Sequence, residues 1–213
     1  MFCAPKGADT APDGAQNDVE VPDGVDVVVE HGVVSFEVKG LEIGRIEDGE
    51  LAVGVGKHDR EGHRMASPFQ DPLDGLRGVA ERVRKERRGD MPGGAMTSYS
   101  RERWLRSIVV ADPGQFGLPA LTPVQPPLPR TDLRDTAVAP AVGDGVVVAF
   151  SVGVDPDLVP SAADARAMHS PAAELVLVVP ELDAIPNTHR LAAALRQPAR
   201  IITVQNNWPE LGD

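Results

Sequence analysis

Asp26, Glu37 and Lys39 are the residues of this chain whose types and spacing could do chemistry. They fall in two short β-branched runs, Val25 to Glu30 and Val33 to Lys39, separated by His31-Gly32. Two turn-forming residues between such runs read as a tight β-hairpin. Paired positions in a two-residue hairpin sum to a constant, so Val27 faces Phe36, Val29 faces Val34 and Asp26 faces Glu37, with Lys39 expected on the side of the two acids. Carboxylates directly opposite each other repel by roughly 0.2 to 1 kcal/mol unless a cation or a proton sits between them. The chain has 4 Lys against 17 Arg, so a lysine at position 39 is not its default basic residue. In the competing reading Asp26, Glu30, Glu37 and Lys39 are the wet face of a hairpin whose dry face is Val27, Val29, Val34, Phe36 and Val38.

The trio resembles the PD-(D/E)xK nuclease pattern, through Pro22-Asp23, Gly24-Val25-Asp26 and Phe36-Glu37-Val38-Lys39. That resemblance implies Asp26 and Glu37 as ligands of Mg²⁺ or Mn²⁺, Lys39 as the group that positions or polarises the attacking water, and phosphodiester hydrolysis as the reaction. The chain departs from the pattern in having no helical signal before the first strand and a further meander before the next helix.

A second acidic set lies near the other end. Strand, helix, strand, helix, strand from Val146 to Val204 makes two right-handed crossovers and three parallel strands. Ligands in such sheets bind beyond the carboxyl ends of the strands. Asp155 and Asp157 follow the first of these strands and Glu181 and Asp183 the second, an alternative oxygen-ligand set for Mg²⁺ or Mn²⁺. The same residues are also ordinary turn formers. Gly54-Val55-Gly56-Lys57 lacks the first glycine and the hydroxyl of a phosphate loop, and His58 and His63 read as loop histidines.

The elements that must position these groups define a mixed α/β protein. Residues 1–20 have no apolar periodicity and read as a disordered tail. Residues 21–110 read as an antiparallel β-meander followed by two helices, with a kink or bulge at Gly40. Asp71-Pro72-Leu73-Asp74 opens the first helix, Asp71 as N-cap and Pro72 at the first helical position. Its stripe is Leu73, Leu76, Val79, Ala80 and Val83. The second helix spans about Ser98 to Val109 and buries Trp104, Leu105 and Ile108. Residues 111–135 read as a Pro-rich connector, and 136–213 as the parallel βαβαβ unit, whose runs such as Leu175 to Val179 suit strands covered on both faces.

Composition narrows the setting. The lone Cys3 excludes an internal disulfide and a cysteine-built zinc site, and no run approaches the ~18 apolar residues of a membrane span. The expectation is a cytoplasmic protein without membrane contact. Net charge is −11, but Lys and Arg number 6 against 16 Asp and Glu over residues 1–76, 9 against 4 over 77–106, and 6 against 12 over 107–213. The basic middle, with Arg84, Lys85, Arg87 and Arg88, allows a local contact with nucleic acid or an acidic protein, or only complements a helix C-terminus. The second function class is therefore a non-catalytic interaction or scaffold protein that docks through this basic helix.

Gly40-Leu41-Glu42-Ile43, residues 53–61, Glu102-Arg103-Trp104-Leu105-Arg106, residues 154–166 and Val179-Pro180-Glu181 together resemble a family of uncharacterised proteins of high-GC actinobacteria. That resemblance implies a kind of host and no mechanism.

Overall fold

The computed structural model describes residues 21–66, 70–90, 94–130, 132–134 and 137–212; the expected tail, residues 1–20, lies outside them. Four strands, β1 (Asp26–Glu30), β2 (Val33–Val38), β3 (Leu41–Glu47) and β4 (Glu50–Val53), form an antiparallel sheet in sequence order. His31-Gly32, Lys39-Gly40 and Asp48-Gly49 join them, every one of the six residues at positive φ, the twist that two-residue hairpins favour. Gly40 is thus a turn residue rather than a kink within a strand. A Cβ there would lie 2.3 Å from the carbonyl of Arg103, so the turn also sets how closely a later helix approaches. The irregularity in the meander is a bulge where β2 pairs with β3, between Phe36 and Glu37.

Residues around His58 and His63, expected as a loop, form helix α1 (Gly56–Ala66). The Asp59 carboxylate accepts from the Val55 amide at 2.8 Å, and Arg60, buried, bridges Glu42 at 2.8 Å and Glu47 at 3.1 Å. A helix with little apolar surface is held by ion pairs to β3. Helix α2 (Pro72–Glu86) begins as expected, the Asp71 side chain accepting from the Leu73 amide at 2.9 Å. Leu76, Val79, Ala80 and Val83 pack on Phe36, Val38, Leu41 and Ile43.

After the short helix α3 (Ala95–Ser98), α4 (Arg101–Ala111) crosses to the second sheet. That sheet runs β5 (Thr122–Pro123), β6 (Ala139–Gly143), β7 (Val146–Phe150), β8 (Glu174–Pro180) and β9 (Arg200–Val204), with β7, β8 and β9 parallel. Trp104, Leu105, Ile108 and Val109 of α4 pack on one face, against Val148, Phe150, Val176 and Val178. Helices α5 (Leu158–His169) and α6 (Pro186–Ala194) pack on the other, against Val147, Ala149, Leu175 and Leu177. This two-sided cover is why β7 and β8 are unbroken apolar runs. The Pro-rich stretch contributes a strand of its own, β5, at the sheet edge. Among the described residues no helix is long and apolar enough to cross a membrane.

Candidate functional site

The hairpin has the expected register: Asp26 pairs with Glu37, Val27 with Phe36 and Val29 with Val34. The exposure of its faces differs from either sequence reading. Glu37 is 2% exposed, whereas Val27 and Val29 are 49% and 61% exposed. Helix α4 covers the acidic face. Arg103 donates to both Glu30 and Glu37. Arg106 donates to Glu30 at 3.3 Å and lies 3.8 Å from Glu37, while its Nη1 also reaches the Pro140 carbonyl at 3.3 Å. Residues three apart on a helix share a side, so α4 turns two arginines to the first sheet and its apolar stripe to the second. It is the joint between them.

The charges of this cluster respond to each other. Burial alone would raise the Glu37 carboxyl, but Arg103, Arg106 and Arg130 together outweigh it and hold Glu37 below its ordinary range. Asp26, across the ribbon, moves the other way: burial first and the Glu37 charge second raise it, with Arg106 opposing. Burial pushes Arg130 down to about 10, with the Arg103 charge adding to it and the carboxylates opposing. Asp26→Asn is therefore expected to stabilise the protein at neutral pH by about 0.2 to 1 kcal/mol, the magnitude of a like-charge cross-strand pair. Because the native state binds the Asp26 proton more tightly than the unfolded chain, this gain is complete above the folded pKa and vanishes below the ordinary value of 3.8. Urea denaturation of wild type and variant at pH 7 and pH 3 checks both signs.

The same geometry tests the implied metal. The Glu37 carboxylate is held between two guanidiniums, with Arg130 as a third cation acting on it. Lys39 is outside β2, in the left-handed turn, and its carbonyl accepts from Arg87 Nε at 3.0 Å. A divalent ion between Asp26 and Glu37 would displace these ion pairs and meet the positive charge already there, so the residues present do not fit it. Among the described residues no group of three or more His, Cys, Asp or Glu side chains is placed to hold a metal ion.

The second acidic set emerges on one sheet edge, as the parallel order requires, but its oxygens tie loops together. Asp183 accepts from the Gly153 amide at 2.7 Å and Asp155 from the Asp157 amide at 2.8 Å. Glu181 opens the short 3₁₀ turn that carries Asp183.

The basic segment divides. Arg87 is fully buried, Arg84 donates to the Asp23 carbonyl, Lys85 is exposed, and Arg88 pairs with Asp90 at 2.7 Å. Past the end of α2, Arg88 joins Arg101 and Arg134 around a groove of about 490 Å³ lined also by Tyr99 and Trp104. None of its described lining residues is Asp or Glu. Arg101 stands 5.8 Å over the Trp208 ring and Arg134 5.5 Å over the Tyr99 ring, so aromatic faces help hold both guanidiniums at the rim. Three segments distant in sequence supply these arginines, and no spacing signals the groove. No family model, curated protein or solved structure compared with this chain matches it.

Proposed function

We propose that the chain is a non-catalytic interaction protein that docks an acidic segment of a partner protein in the groove beside the end of α2. The observation that carries this reading is a concave site with three guanidiniums and no carboxylate among its described lining residues, one of the three, Arg88, being paired with Asp90 outside the lining, in a chain of net charge −11. Its volume lies within the roughly 300–1,000 Å³ usual for binding pockets, which suits a few residues rather than a long polyanion. Nucleic acid is disfavoured on the same ground: duplex binding draws on many phosphate contacts, whereas the acidic remainder of the chain repels an extended phosphate backbone. A cytoplasmic setting, with Cys3 reduced, is the one we assign to it. The hydrolase reading is weaker because the carboxylate it needs most, Glu37, is committed to α4.

Fluorescence anisotropy with a labelled oligo-Glu peptide tests the proposal. Binding is expected to weaken with salt and to fall by about tenfold or more in Arg101→Glu/Arg134→Glu, since reversing rim charges juxtaposes like charges. Unchanged affinity in that variant overturns the proposal. So does Mn²⁺-dependent cleavage of DNA by wild type that Glu37→Gln abolishes.

A further inference from the structure

The groove lies close to the point at which the described chain begins. Val25 donates to the Pro22 carbonyl at 3.1 Å, closing a turn, and Arg84 of α2 donates to the Asp23 carbonyl beside Gly24. Residues 22–24 are thereby fastened to α2 four residues before Arg88, which lines the groove. Upstream, residues 9–20 carry Asp9, Asp13, Asp18 and Glu20 and no Lys or Arg. Twelve residues reach up to about 40 Å when extended, ample to pass from Val21 over Arg88 to Arg101 and Arg134.

We propose that this acidic N-terminal segment is an intramolecular occupant of the groove and competes there with the outside partner. The proposal rests on the groove reading above and adds its regulation. Charge complementarity selects the segment: the groove presents arginines and the segment presents carboxylates. Tethering supplies it at an effective concentration on the order of 1 mM, so even a segment affinity near ~0.1 mM keeps the groove mostly filled. The apparent affinity of the outside ligand then drops by the ratio of the two, about tenfold. Any modification that removes charge from residues 9–20 opens the groove.

The test uses the full chain. Cys3 is its only cysteine, so a nitroxide attached there reports where the segment spends its time. Broadening of the Thr97, Ser98 and Tyr99 amide signals is expected in wild type. It should be lost in Asp9→Asn/Asp13→Asn/Asp18→Asn/Glu20→Gln and in Arg101→Glu/Arg134→Glu. The oligo-Glu peptide should bind the segment-neutralised chain about tenfold more tightly than wild type. Absence of broadening together with equal peptide affinities for the two chains overturns the segment's role while leaving the groove reading intact. Peptide binding to neither chain overturns the groove reading and this inference together.

Discussion

Glu37→Gln is expected to destabilise the protein by about 3–5 kcal/mol, the cost of breaking a buried ion pair by removing one partner. The substitution leaves Arg103 and Arg106 facing Glu30 alone, both guanidiniums nearly out of water. Its effect should be opposite in sign to that of Asp26→Asn, although the two acids are direct cross-strand partners. A metal site would make them equivalent, each needed for binding and neither for folding. Urea denaturation at pH 7 measures the loss. The double variant Glu37→Leu/Arg103→Met should recover more than half of it, because an apolar replacement of the pair leaves one fewer charge unpaired. Acid should act as the substitution does. A carboxyl held below its ordinary value of 4.5 contributes stability that is complete above that value and is lost as pH falls through the folded pKa. The wild type should therefore lose stability below pH ~4.5 along a steeper course than Glu37→Gln, which lacks this carboxyl. A variant within 1 kcal/mol of wild type, well short of that cost, would show that the joint does not depend on Glu37.

Much of this architecture was legible from local signals with a local cause. Asp71-Pro72 fixed a helix start because the cap and the first-turn proline act on their own backbone. His31-Gly32 fixed the hairpin register because a two-residue turn leaves no freedom in the pairing. Leu175 to Val179 announced a strand covered on both faces. What was not legible depends on which helix covers which face. Alternation along β1 and β2 separates Val27 and Val29 from Glu30 and Glu37, but it cannot say that the acidic face is the inner one. Ser35, Phe36, Glu37 and Val38 are buried in succession, one side under α2 and the other under α4. The available signal was on α4: Arg103 and Arg106 fall three residues apart, beside an apolar stripe already spoken for. Helix α1 was missed because Arg60, through Glu42 and Glu47, does there what an apolar face usually does. Position 87 continues the stripe of α2, four residues after Val83, an interior signal that grouping Arg87 with Arg84, Lys85 and Arg88 as one basic docking segment passes over.

That arginine carries the second large effect. Arg87→Met is expected to cost about 4 kcal/mol or more, because one buried guanidinium donates to four backbone carbonyls at once. It donates to the carbonyls of Lys39 at 3.0 Å, Tyr99 at 2.7 Å and Ser100 at 3.0 Å, and to that of Met96. It also lies 4.4 Å over the Trp104 ring. Each buried acceptor left unmade costs roughly 1–3 kcal/mol, and methionine replaces the packing but none of the donors. Burial pushes the guanidinium down to about 9, Glu37 and Glu102 opposing from a distance and Arg130 adding to the fall; it remains charged at neutral pH and is satisfied by carbonyl dipoles in place of a carboxylate. Arg87→Lys should recover less than half of the loss, since one ammonium offers three donors from a single point where the planar fork offers five. Chemical denaturation gives the stability change, and a shift in native-state tryptophan emission reports the bared Trp104 face. Were Arg87 a surface docking residue, the same substitution would move stability by under about 0.5 kcal/mol and change only binding. Because Tyr99 lines the groove and its carbonyl is one of those Arg87 holds, Arg87→Met that remains folded should also lose oligo-Glu binding. The docking surface is then shaped by an arginine that never touches the ligand.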